Sequence, residues 1–285
     1  MTHPISANDA SPTLDVAIAQ FAAGPDVEAN LMRIADLVAD AAANGARLVV
    51  LPEGAMYDWS ASAEQLAAAA REHAAAFTDG LSAIATGEQV VAVAGMFTPA
   101  ADGTGRPYNR MIAIGPDGNL LGSYDKVHLF NAFSYRESDK VRAADTDAEH
   151  SELCLVDVGP FTFGLLNCYD LRFPEMARLL LDRGADALLI SSAWVSGPNK
   201  ELHWETLLRA RAIENTCYVV AADQPPPTSV GLSMVADPFG LIASTVVATE
   251  GTVVTTLDQD HLRRARETVP SLQHRRYRVV PGPAR

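Results

Sequence analysis

The chain has 285 residues, 48% of them hydrophobic, and a formal net charge of −13 from 35 acidic and 22 basic residues. Such a length buries a sizeable core without metal or disulfide support, and so acidic a surface repels phosphate backbones, which excludes general nucleic-acid binding. No apolar run is long enough to span a bilayer, and three cysteines without regular spacing argue for a reducing, cytoplasmic setting rather than a disulfide framework.

In chain order, residues 1–12 lack a basic or apolar signal segment and read as a disordered lead-in. The pattern L-D-V-A-I-A-Q-F from Leu14 predicts a strand. Asp26 then opens a helix with apolar residues at Leu31, Ile34, Leu37, Val38 and Ala41. R-L-V-V-L-P is a second strand, apolar on both faces, and an alanine-rich helix is expected from about Ala63 to Ile84. Between Gln89 and Asp125 the texture is of short strands with turns at Asp102-Gly103 and Pro116-Asp117-Gly118. Val127 to Glu149 is a long polar connection, and a loop of that length in a compact domain is usually functional. Strands resume at Leu153–Val158 and Phe161–Asn167, followed by a helix from about Pro174. A strand (A-L-L-I-S-S), a helix of about sixteen residues from Lys200, and a strand (C-Y-V-V-A-A-D) come next. Three more strands are expected around Met234, Ile242 and Val254, and a basic segment closes the chain. Residues 13–285 therefore read as one mixed α/β domain with a C-terminal tail.

Three places put a reactive side chain at a strand end, where loops present it to substrate. Glu53 follows the buried strand in L-V-V-L-P-E-G, although such a carboxylate is more often a solvated loop residue or a cap. Lys126 sits at a strand exit in G-S-Y-D-K-V-H-L-F, where a lone lysine is ordinarily surface. Cys168 lies in F-G-L-L-N-C-Y-D-L-R-F-P-E, between a strand and a helix start. A cysteine in an apolar run is usually packing, but at such an elbow the helix terminus should lower its pKa.

Taken together, these motifs resemble the nitrilase superfamily of carbon–nitrogen hydrolases. The resemblance continues through G-A-D-A-L-L-I-S-S-A-W, H-W-E-T-L-L-R-A-R-A-I-E-N-T-C-Y-V-V-A-A-D-Q and G-L-S-M-V-A-D-P-F-G. It implies that Cys168 is the nucleophile, Glu53 the general base and Lys126 the oxyanion stabiliser, with the backbone N–H of Tyr169 as a second donor. Amide carbonyls are poor electrophiles, so the chemistry needs a thiolate and a positive group where charge develops. One carboxylate serving as base and acid needs a pKa held near neutrality. Glu137, in Y-R-E-S-D, matches an auxiliary glutamate that holds the lysine or the substrate amide. Tyr169 and Trp194 resemble pocket-lining residues, and read equally well as core aromatics.

The resemblance further implies a four-layer αββα sandwich and homodimerisation through the helices after Cys168 and after Trp194. C-Y-D-L-R-F-P-E is similar to the small-amidase branch, which includes omega-amidases and deaminated-glutathione amidases. The implied reaction is hydrolysis of a small, carboxylate-bearing amide to acid and ammonia. An N-carbamoyl amidohydrolase or a nitrilase on the same triad, or an inactive scaffold of the same fold, are the alternatives. No cofactor is implied, and no zinc-type ligand spacing is present. His128 and His203 admit a cysteine–histidine reading, which the complete Glu–Lys–Cys set disfavours. Arg172 is expected to pair with Asp170 or Glu175 rather than meet substrate. Cys154 and Cys217 read as packing, and the basic tail as a partner for acidic groups. Asn167, Asn131 and Ala144 depart from the family's usual residues. By strand alternation Asn167 points away from the side of Cys168.

Overall fold

A computed structural model describes residues 12–100, 105–147 and 149–280. Of the lead-in expected at 1–12, residues 1–11 lie outside the described residues, as does the turn at Asp102-Gly103. The first half builds one six-stranded sheet from β1 (Thr13–Gln20), β2 (Leu48–Val50), β3 (Val91–Thr98), β4 (Tyr108–Ile114) and β5 (Leu120–Asp125), with β14 (Gly251–Asp258) on the far edge. The second sheet runs β13 (Ile242–Val246), β12 (Ser233–Ala236), β11 (Tyr218–Ala222), β10 (Ala187–Ser191), β9 (Phe161–Asn167) and β8 (Leu155–Val158). Within them β1–β2–β3 and β9–β10–β11 pair in parallel.

Strand alternation explains the layers. Val16 and Ile18 of β1, with Val50 and Val93, join β9, β10 and β11 residues in the core between the sheets. Ala17 and Ala19, with Val49 and Ala94, turn the other way onto helices α1 (Val27–Ala43) and α2 (Ala63–Glu88). These small residues let the helices approach closely, and α2 buries Leu66, Ala69, Ala70, Phe77, Leu81 and Ala85 at helical spacing. Helices α3 (Pro174–Asp182) and α4 (Lys200–Asn215) cover the second sheet. The architecture is thus helix, sheet, sheet, helix: the four-layer αββα sandwich that the resemblance implies.

Asp26 caps α1 by accepting from the backbone N–H groups of Glu28 and Ala29. Helix α2 opens on a capping box at Ser62 and Gln65 and runs one turn beyond the expected Ile84, to the left-handed Gln89. The polar connection after Lys126 carries a small hairpin of β6 (Asn131–Ala132) and β7 (Tyr135–Arg136), then a single helical turn, Glu137–Asp139. Asn131 accepts from the Ser138 N–H, so this departure shapes the loop, and the Ala144 N–H donates to the Lys126 carbonyl through the backbone alone. The basic segment forms α5 (Gln259–Thr268) and α6 (Ser271–His274), and its arginines meet the chain's own acids: Arg266 with Asp186 at 3.0 Å, and Arg275 with Asp182. Among the described residues no helix is long and apolar enough to cross a membrane.

Candidate active site

Parallel strands end at one edge of each sheet, and ligands bind in the crevice outside their carboxyl ends. Glu53 follows β2, Cys168 follows β9, Ser192 to Trp194 follow β10, and Asp223 follows β11. The two sheets are tied together there: Ser191 Oγ donates to the Leu51 carbonyl at 2.7 Å, and the Glu53 N–H to the Ser192 carbonyl at 3.3 Å. Glu53 reaches this position because β3 carries Gly95. A Cβ at Gly95 would stand 2.6 Å from the Gly54 nitrogen and 2.7 Å from the Glu53 Cα. Only glycine admits so close an approach of two backbones.

The structure brings Glu53, Lys126, Glu137 and Cys168 into one cavity, with Tyr169 and Trp194 in its wall. Lys126 Nζ lies 2.7 Å from Glu53 Oε1 and 2.9 Å from Glu137 Oε2, and all three side chains are buried. Burial works against the charged ammonium, but Glu137 and Glu53 outweigh it, so the pKa of Lys126 rises well above its ordinary value. Lys126 therefore stays charged. Glu137 also accepts from the Phe130 N–H at 2.6 Å, which fixes the carboxylate on the lysine loop. Glu53 Oε2 accepts from the Ala193 N–H at 2.9 Å.

Asn109 completes the cluster, and sequence reasoning missed it. Its Nδ2 donates to Glu53 Oε1 at 2.7 Å and to Glu137 Oε1 at 3.1 Å. Asn167 Nδ2 donates in turn to Asn109 Oδ1 at 3.0 Å, which turns the Asn109 amide nitrogen towards the two carboxylates. Asn167 thus supports the cluster from below and does not line the cavity. Asn109 shares the inter-sheet face of β4 with Met111 and Ala113. A polar residue on that face was the available signal, since buried amides require partners.

Cys168 adopts φ 47°, a left-handed conformation strained for a non-glycine residue, at the head of a short helical turn, Cys168–Arg172. Asp170 anchors this turn: it accepts from the Tyr124 hydroxyl at 2.6 Å, the Asn167 N–H at 2.9 Å and the His128 N–H at 3.2 Å, with His128 Nδ1 at 2.8 Å. The expectation of a lowered thiol pKa is corrected. Burial, then the charge of Glu53, push Cys168 well above the ordinary value, against Lys126 and Ser192. A five-residue turn leaves too little helix to offset burial, so the resting group is a thiol.

The pairing expected of Arg172 is also corrected. Asp170 is occupied as described, and the guanidinium instead lies 4.9 Å from the Trp194 ring centroid and 6.0 Å from that of Tyr169, facing the cavity. Its nearest polar contact is His203 Nδ1 at 3.4 Å. Lys200 stands beside it with Nζ 4.3 Å from the Phe133 ring and 4.9 Å from Phe130. Burial first, then the nearby Arg172 charge, lower its pKa. Among the described residues neither cation has a carboxylate partner, and the lining acids Glu53 and Glu137 are engaged by Lys126. His128 and His203 stay out of the cavity wall. Burial raises Cys154 to about 11 and Cys217 to about 12, the behaviour of packed thiols. Among the described residues no group of three or more potential metal ligands is gathered.

Known proteins share this arrangement of chain. The sequence profile described as "Carbon-nitrogen hydrolase" matches residues 15–267. A protein named deaminated glutathione amidase from Escherichia coli O157:H7 is 34% identical over 262 residues, covering 92% of this chain and 97% of its own. The crystal structure of Saccharomyces cerevisiae Nit3, a member of branch 10 of the nitrilase superfamily, superposes with a TM-score of 0.81 at 28% identity, covering 93% of this chain and 97% of that one. A variant of the Nesterenkonia sp. AN1 amidase, with the acetamide moiety of fluoroacetamide covalently added to its active-site cysteine, superposes at 0.78 with 25% identity, covering 93% and 95%.

Proposed function

This chain belongs to the carbon–nitrogen hydrolase family and is an amidase of it, and we propose that it hydrolyses a small, carboxylate-bearing amide to acid and ammonia through a thioester on Cys168. The observation that carries this reading is the buried Glu53–Lys126–Glu137 cluster opening onto the cavity that holds Cys168.

Glu53 takes the thiol proton as sulfur attacks the amide carbon. Lys126 and the Tyr169 N–H receive the developing oxyanion, and protonated Glu53 delivers its proton to the departing ammonia. Water then enters, Glu53 removes one of its protons, and the hydroxide attacks the thioester. Sulfur leaves and recovers the proton from Glu53, which closes the cycle. Glu137 and Asn109 hold Lys126 and Glu53 in register, so neither has to reorganise when charge moves.

Arg172 and Lys200 support the carboxylate. Two cations that have no anionic partner among the described residues, inside one cavity of an acidic protein, suit an anionic group of the substrate, which Arg172 can take in bidentate fashion. The test compares kcat/KM for an omega-amide, its carboxylate-free analogue and its nitrile. The omega-amide should be preferred; a nitrile that wins would make the enzyme a nitrilase. Arg172→Met should cost the omega-amide ~10- to 100-fold, as hydrogen bonds to charged groups do, and leave the carboxylate-free amide unaffected. Equal losses for both would remove the carboxylate from the proposal.

The active unit is one domain running from residue 13 to the C-terminal tail. Dimerisation in a reducing cytoplasm fits the exposed Leu202 and Ile213 of α4 and the three free cysteines. Sedimentation as a monomer at assay concentrations would rule out the dimer.

A further inference from the structure

Asp223 closes β11 and is fully buried. Its placement is fixed on two sides. Its N–H donates to Ser233 Oγ at 2.8 Å, and that hydroxyl donates to Gln20 Oε1 at 2.7 Å. Its Oδ1 accepts from the Trp194 N–H at 2.7 Å, and the Gln224 N–H also bears on the carboxyl. The other oxygen, Oδ2, is buried without a hydrogen-bond partner, and so is the hydroxyl of Ser192. Ser191 of β10 pairs with Asn167 of β9 on one side and Ala222 of β11 on the other, so Ser192 comes next in register between Cys168 and Asp223, and its hydroxyl bears on both the thiol and the carboxyl. The charged group facing this carboxyl is Glu53, across the Ser192–Trp194 segment that both carboxyls grip.

An ionised Asp223 would add a further buried negative charge beside Glu53, and its free oxygen could gain a donor only by drawing the Ser192 proton to itself, a costly arrangement. A protonated Asp223 resolves both orphan oxygens at once. Its O–H points to Ser192 Oγ, and the serine's own proton is then free to point at sulfur. Burial, against the opposing Trp194 and Gln224 N–H donors and with the charge of Glu53 added, pushes this carboxyl well above the usual carboxylate range.

We propose that Asp223, held as a neutral carboxylic acid, is a positioning residue that orients the Ser192 hydroxyl as a donor to the sulfur of Cys168. The inference rests on Cys168 being the reactive thiol and on nothing about the substrate. No proton is transferred along this line. The serine stabilises the sulfur while it carries negative charge, during attack and again as it leaves the thioester. If Asp223 ionises, it becomes the acceptor for Ser192, whose proton turns away from sulfur. Ionisation therefore switches the donor off.

The test follows the rate at which iodoacetamide modifies Cys168, together with the pH profile of kcat/KM, in Ser192→Ala, Asp223→Ala and Asp223→Asn. Ser192→Ala should slow alkylation ~10- to 100-fold, the range for a lost hydrogen bond to a charged group. Asp223→Ala should do the same and add nothing in the Ser192→Ala background. Asp223→Asn should recover most of the loss, because its amide also offers Ser192 a donor and cannot ionise. Its alkaline fall in kcat/KM should move to higher pH than in the wild type. The proposal is overturned if a folded Asp223→Asn protein is as slow as Asp223→Ala. Additive losses in the double variant, or an unchanged alkaline limb in Asp223→Asn, overturn it too. Should Asp223→Ala fail to fold, Ser192→Ala and the Asp223→Asn profile decide alone. Because alkylation needs no amide substrate, failure here is distinguishable from failure of the amidase reading.

Discussion

Replacing Gly95 by alanine should damage catalysis from beneath the base without touching any reacting group. The added Cβ would meet the Gly54 nitrogen at 2.6 Å, the Glu53 Cα at 2.7 Å and the Pro52 carbonyl oxygen at 2.9 Å, whereas ordinary contact begins near 3.4 Å. All three are backbone atoms, so no side chain can swing aside. The Pro52–Gly54 segment must retreat by roughly 0.7 Å to restore ordinary packing contact. That shift carries Glu53 away from Lys126 Nζ, now 2.7 Å distant, and from the Ala193 N–H at 2.9 Å. Overpacking of this kind costs about 1–3 kcal/mol of stability, and a misplacement approaching 1 Å costs on the order of 100-fold in rate. The expected result is a folded protein with kcat down by ~10- to 100-fold and KM changed far less. Gly87 of α2 is the control: nothing lies within 4 Å of a Cβ there, so Gly87→Ala should keep full activity and gain up to about 1 kcal/mol of stability. The assay is steady-state kinetics with thermal melts on both variants. A folded Gly95→Ala protein with wild-type kcat would refute the claim that the position of Glu53 matters.

The other predictions concern the cluster itself. Lys126→Gln should lose ~3 kcal/mol or more of transition-state stabilisation, and an unchanged kcat would refute its role. Glu53→Gln should be nearly inactive in turnover, yet its Cys168 should titrate at lower pH than in the wild type. Burial leads the upward shift of that thiol and Glu53 adds to it, so removing the negative charge lowers the pKa; alkylation rates measured against pH check the direction. Asn109→Leu should lower kcat while leaving Cys168 alkylation intact, and a wild-type kcat would make the amide dispensable. Activity should survive EDTA and be lost to iodoacetamide, and the opposite pattern would overturn the cysteine mechanism.

What the sequence made legible was tied to strand ends. Glu53, Lys126 and Cys168 each follow a strand and sit in motifs of their own, and Glu137 came through resemblance across an irregular loop. The helices and the parallel strands followed from periodicity and from runs apolar on both faces. The remaining site residues depend on contacts made across the sandwich. Asn109 meets Glu53, Glu137 and Asn167, three positions that only the packed sheets bring together. Lys200 begins a helix, a place where a lysine is ordinarily solvated. Here the left-handed Asn199 before it (φ 60°) starts the helix so that the ammonium enters the aromatic wall of the cavity. Arg172 looked pairable because Asp170 is two residues away, but Asp170 is taken by Tyr124 of β5 in the opposite sheet and by His128 in the loop after it. The thiol of Cys168 was misjudged for a related reason: local geometry suggested a helix terminus, and burial decided the outcome.

The central claim is that nitrogen departs from a thioester formed on Cys168. Its most direct test is acid-quenched mass spectrometry of the enzyme mixed with an omega-amide, with peptide mapping of the modified chain. The account predicts an acyl adduct confined to the peptide containing Cys168, formed before product accumulates and missing from a folded, inactive Cys168→Ala protein. An adduct on Cys154 or Cys217, or continued turnover by Cys168→Ala, would contradict it.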